Sequence, residues 1–87
     1  MVMKTENLLN VLNEIIIELK NNGKKQSADF FSLRYNNIKN LNNHLESIEE
    51  LSTCRAMAQY ANFSITEERK LDKIVDYATA ILAGDKA

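Results

Sequence analysis

Residues 57–71, Met-Ala-Gln-Tyr-Ala-Asn-Phe-Ser-Ile-Thr-Glu-Glu-Arg-Lys-Leu, decide how this chain is read. A small residue, an Asn at a turn, an aromatic, a Ser cap and a new helix spell either the corner of a DNA-reading helix-turn-helix or the corner between two helices of a bundle. The helix-turn-helix requires apolar or small side chains at fixed offsets. With Asn62 at the turn, Met57, Ala58, Ala61, Phe63 and Leu71 comply, but Glu68 falls at a position that must be buried. An unpaired carboxylate between packed helices costs several kcal/mol. Glu67 and Glu68 also open the second helix where phosphate would approach. As a bundle corner the conflict disappears: Ser64 and Glu67 form a capping box, Glu68 complements the helix dipole, and both carboxylates are expected to face water.

Working outward, the same Ser-x-x-Glu spelling recurs at Ser47-Ile48-Glu49-Glu50 and predicts a second capping box. Four helices follow, at about 5–22, 27–43, 47–61 and 65–83. Thr5 and Ser27 are the expected N-caps of the first two, and Gly23 and Gly84 the stops after the first and last. At 3.6-residue spacing the first helix gathers Leu8, Leu9, Val11, Leu12, Ile15, Ile16 and Leu19 on one face. The second gathers Phe30, Phe31, Tyr35, Ile38, Leu41 and Leu45. The third carries Ile48, Leu51, Cys54, Met57, Ala58 and Ala61, and the fourth Leu71, Ile74, Val75, Ala78, Ile81 and Leu82. Short connections make consecutive helices antiparallel, so the expected fold is all-α, an antiparallel up-down four-helix bundle in one domain. The alternative is three helices with 27–61 as one long bent helix; the Asn-rich stretch 36–43 favours a break.

Composition agrees. With 87 residues there is room for one core only. Hydrophobic residues at 45% and charged residues at 26% are ordinary for a globular domain, and no Pro with two Gly leaves too few breakers for a turn-rich β fold. A formal net charge of −1 supplies no field to gather nucleic acid. Asn10, Asn13, Glu14 and Glu18 interrupt the first apolar run, so no transmembrane segment is expected, while a peripheral membrane contact stays open. A single cysteine, Cys54, suits a reducing cytoplasm.

The sequence points to no catalytic, cofactor-binding or metal site. His44 and Cys54 stand ten residues apart, without Cys-x-x-Cys, His-Glu-x-x-His or Glu-x-x-His spacing and without a Gly-rich phosphate loop. Four residues are candidates for partner binding. Arg34 lies within the apolar arc of the second helix, its stem expected to cover the core edge while its guanidinium meets solvent or a carboxylate such as Glu14 or Glu18. Alternatively it receives an acidic group from a partner. Ile17, Leu33 and Tyr60 point away from their helices' apolar stripes and could anchor a contact with another protein or a second copy of the chain.

The stretch Phe63, Ser64, Glu67, Glu68 and Leu71 resembles the opening of the last helix in the immunity proteins of pediocin-like (class IIa) bacteriocins. Those are short intracellular antiparallel four-helix bundles. The resemblance implies a cytoplasmic, non-enzymatic protein of the immunity or antitoxin kind that docks through a helix face. The second functional reading is a DNA-binding regulator using residues 54–71.

Overall fold

In the computed structural model, which describes residues 2–85, the apolar stripes of the sequence fold into helices, the third of them in two pieces. The elements are α1 (Val2–Asn21), α2 (Lys25–Lys39), α3 (His44–Ser52), α4 (Met57–Tyr60) and α5 (Ile65–Asp85). Helix α1 packs on α2 and α5, and α3 packs on the same two, which leaves α1–α3 and α2–α5 as the diagonals. That closed cycle of neighbours is the four-helix bundle. The alternative of one bent helix over 27–61 is not adopted, because α2 stops at Lys39 and the Asn-rich segment 40–43 turns the chain. The radius of gyration, 12.1 Å, matches the roughly 12 Å of a compact chain this long.

The core follows the stripes. Leu8, Val11, Leu12, Ile15, Ile16 and Leu19 of α1 meet Phe31 and Ile38 of α2, Ile48 and Leu51 of α3, and Leu71, Ile74, Val75 and Ala78 of α5. Cys54 and Met57 close it at the α3–α4 side, while Leu9, Phe30, Tyr35, Ala58, Phe63, Ile81 and Leu82 pack around its edge. Burial on this scale, at about 25 cal/mol per Å² of apolar surface, is what holds the helices together.

Three corners share one solution. Helix α1 ends with Gly23 at φ +76°, its N–H donating to the Lys20 carbonyl at 3.1 Å, and the Lys24 N–H reaches the Leu19 carbonyl at 2.8 Å. This is the Schellman motif, which satisfies carbonyls that the helix end leaves orphaned. Helix α4 ends the same way with Asn62 at φ +58°, through Asn62 N–H to Gln59 and Phe63 N–H to Ala58. Helix α2 uses Leu41 at φ +56°, through Leu41 N–H to Ile38 and Asn42 N–H to Asn37. A Cβ in this conformation costs about 1 kcal/mol, which Gly23 avoids.

Several sequence expectations are corrected. Helix α1 begins at Val2, so Thr5 lies inside it and is not its cap. Ser27 is the third residue of α2 and makes no capping bond, since α2 begins at Lys25. Leu41 and Leu45 are exposed because the left-handed turn at Leu41 takes both off the α2 stripe. The expected helix 47–61 is two pieces, α3 and the single turn α4, separated by 53–56. Ser47 is not a cap: α3 starts at His44, three residues earlier. Gly84 does not stop α5, which continues to Asp85.

Candidate functional site

The turn that ends α1 is also the start of α2, and opposite it stand α4 and the first turn of α5. A single side chain ties these pieces together. Ser64 and Glu67 make the expected capping box: the Ser64 N–H donates to Glu67 Oε1 at 2.7 Å and the Glu67 N–H to Ser64 Oγ at 3.2 Å. Glu67 does not face water, however. It is fully buried, with Lys24 Nζ donating to Oε1 at 2.7 Å and the Asn22 amide to Oε2 at 2.6 Å. The same ammonium donates to the Asn62 carbonyl at 2.7 Å. Burial is the largest influence on this carboxyl and opposes its charge. The Lys24 ammonium, the Asn22 amide and the Ser64 N–H together outweigh it and hold the group below its ordinary range.

Glu68, one residue on, is exposed, as the bundle-corner reading expects. A second tie joins α1 to α5: Lys70 Nζ donates to Glu18 Oε1 at 2.8 Å and the Thr66 hydroxyl to Oε2. Lys70 and then Thr66 keep the Glu18 carboxyl below its usual range.

Around the Glu67 clasp the surface opens into a groove of about 500 Å³, lined by residues 23–27 on one side and Met57, Tyr60 and Ala61 on the other. Tyr60 leaves 77% of its surface in solvent. Of the four residues singled out from the sequence, only Tyr60 belongs to this groove. Ile17 on α1 and Leu33 on α2 are exposed on their own helices. Arg34 is half-buried and spends donors inside the chain: Nε bonds Glu50 Oε1 at 3.1 Å, Nη1 bonds the Phe30 carbonyl at 3.2 Å, and the guanidinium lies 3.8 Å over the Phe30 ring. Its acidic partner is thus Glu50 on α3, rather than Glu14 or Glu18 on α1. Glu18 is taken by Lys70 and Thr66.

Sequence reading passed over Lys25, Ser27 and Met57 as site residues. Adjacent lysines next to a turn glycine, in Gly23-Lys24-Lys25, were the available signal. It also passed over Ile65, whose side chain is 70% exposed in the first turn of α5.

His44 opens α3 and Cys54 follows it, and no side-chain pairing joins them. The Cys54 thiol donates to the Leu51 carbonyl at 3.2 Å, and burial pushes it up to about 11. A thiol held protonated is a poor nucleophile. Among the described residues no three His, Cys, Asp or Glu side chains are grouped as metal ligands, and no helix is long and apolar enough to cross a membrane. Comparison with protein-family models, with curated proteins and with solved structures finds no match.

Proposed function

We infer that this protein is a small non-enzymatic binding module whose partner is another protein, an accessory of the immunity or antitoxin kind acting in the cytoplasm. The observation that carries this reading is Tyr60. A large aromatic is held 77% exposed on a one-turn helix, at the rim of a groove whose far wall is fixed by the Glu67 clasp. Tyrosine is enriched among the residues that dominate protein interfaces, because it buries much area while losing little conformational entropy. Ile17 and Leu33 offer further apolar contacts on the outer faces of α1 and α2.

The test compares the proteins that co-purify with the wild-type chain and with Tyr60→Ala, identified by mass spectrometry. Tyr60 is mostly solvated, so its removal should leave the melting temperature within about four degrees, a surface substitution being worth less than ~0.5 kcal/mol. The expected result is selective loss of one partner at unchanged stability. Light scattering over a dilution series identifies the case in which that partner is a second copy. Retention on DNA that falls steeply with added salt would instead support the regulator reading of residues 54–71.

A further inference from the structure

At the end of the bundle opposite the Glu67 clasp, the start of α1, the end of α2, the start of α3 and the end of α5 surround an apolar cleft of about 200 Å³. Ile38, Leu41, Leu45, Ile48 and Ile81 line it, with Leu41 71% and Leu45 48% exposed. The cleft is smaller than the roughly 300–1,000 Å³ of small-molecule sites. A contact confined to one end of a body 38 × 21 × 18 Å in extent also falls short of the ~1,200 Å² that a stable pair of proteins buries. Neither a bound molecule nor simple end-to-end docking explains two leucines left in water.

The backbone beneath them supplies a second observation. Leu41 has φ +56° and Asn43 φ +55°, so the turn from α2 to α3 holds two residues with side chains in the left-handed region. Leucine seldom occupies that region, because its Cβ crowds the following carbonyl oxygen there. The segment Asn40–Asn43 nonetheless contains no Gly to relax the turn and no Pro to enforce it. The sequence itself continues the helix. Counted as one unbroken helix, Phe31, Ile38, Leu41, Leu45 and Ile48 take the a and d positions of a heptad, with Arg34 the one polar member. The five apolar residues share an arc of about 100°. A straight helix across 40–43 would relieve Leu41 and restore this stripe, but it carries α3 away from the α2 of its own chain. The α3–α5 half must then pack on the α1–α2 half of another.

We propose that two copies of this chain exchange halves about the segment 40–43: α2 and α3 join into one helix from Lys25 to Ser52, and the α3–α5 half of each copy closes the bundle on the α1–α2 half of the other. Each bundle keeps the packing it has in the single chain, so the exchange needs no new core. The α1–α5 and α2–α3 packing passes between chains and supplies the area that one end alone lacks, while α1–α2 and α3–α5 stay within a chain. The two long helices cross at residues 40–45, where Leu41 and Leu45 of one copy meet those of the other. Asn40–Leu45 contains no Lys, Arg, Asp or Glu, so the crossing sets no like charges together. Each groove beside the Glu67 clasp is then built by two chains, residues 23–27 from one and Tyr60 from the other. The exchange does not depend on what Tyr60 docks, and either can fail without the other.

The experiment refolds the full chain from urea at micromolar and at millimolar concentration and measures its mass by size-exclusion chromatography with light scattering. The expected millimolar product is a dimer that dilution releases slowly, since separation requires both bundles to open. Leu41→Gly gives the turn a residue that suits it. The variant should melt no lower than wild type at micromolar concentration, and its dimer dissociation constant should rise by at least about a hundredfold, the strain going unrelieved in two turns and the glycine entering two helices. Asn43→Ala strains the turn and favours the helix, and should tighten the dimer by about tenfold. In a dimer refolded from equal amounts of isotope-labelled and unlabelled chains, filtered NOEs should join the Asn37 amide of a labelled chain to Ser47 of an unlabelled one, side chains that lie 3.2 Å apart. A chain that stays monomeric at millimolar concentration, a dimer that either variant fails to shift in the stated direction, or Asn37–Ser47 contacts that remain within one chain would each overturn the proposal.

Discussion

Ser47-Ile48-Glu49-Glu50 and Ser64-Ile65-Thr66-Glu67 share a spelling and do different work. At 64–67 the motif is a capping box, and its Glu is also the buried centre of a charged clasp from Asn22 and Lys24. At 47–50 the helix has already begun at His44, and the Ser47 N–H is satisfied by the Asn43 carbonyl at 3.1 Å. With no orphan group to serve, Ser47 turns inward and its hydroxyl accepts from the Asn37 amide at 3.2 Å, while Glu50 leaves the helix start to meet Arg34. A capping motif is therefore a capability. Whether it is used depends on where the preceding turn delivers the chain, and here the left-handed residues Leu41 and Asn43 start α3 early.

The largest expected effect separates the two glutamates. Glu67→Gln keeps the size of the side chain but leaves Lys24 without its counter-charge, and should cost about 3 kcal/mol in equilibrium unfolding. The pH dependence follows from the same contacts. The folded carboxyls of Glu67 and Glu18 lie below their unfolded values, so the folded state binds fewer protons. Their contribution is present in full above the unfolded value of 4.5 and is lost as the pH falls through the folded values. Unfolding curves should thus weaken below about pH 4.5, and Glu67→Gln should flatten that fall. A variant as acid-sensitive as the wild type would remove Glu67 from the account.

Next in size is the contrast between the serines. Ser64→Ala removes a cap and should cost about 1 kcal/mol, with faster amide exchange in the first turn of α5. Ser47→Ala should leave exchange at the start of α3 unchanged, since nothing there depends on its hydroxyl. Equal fraying in both variants would erase the distinction. Smallest is Glu50→Gln. Glu50 is half-exposed, so its bond to Arg34 is screened and the loss should stay below about 0.5 kcal/mol. A loss as large as that of Glu67→Gln would mean that the two glutamates play equivalent parts.

The helix faces were legible because burial is periodic: the α1 and α5 stripes read from spacing are the ones found in the core. The break at 53–56 was hidden, since Cys54 and Met57 remain buried on the same side and preserve the stripe across it. Leu41 and Leu45 misled for the opposite reason, continuing the α2 pattern past a turn that a leucine seldom makes. Of the candidate site, Tyr60 was visible as an aromatic off its stripe. The clasp was not, because Lys24 and Glu67 are 43 residues apart and their pairing exists only once α1 and α5 pack. Glu67 looked like a solvated cap, and the packed corner around it turned the cap into a buried ion pair.

The central claim is that Glu67 sits buried and charged, fixing the corner that carries the groove. An NMR titration of the Glu67 side-chain carboxyl in the intact protein tests it most directly. The account predicts a midpoint below that of an ordinary glutamate, with the Asn22 amide and Lys24 ammonium signals moving in step. A midpoint at or above the ordinary value, or a carboxyl that titrates without disturbing Asn22 and Lys24, would contradict it.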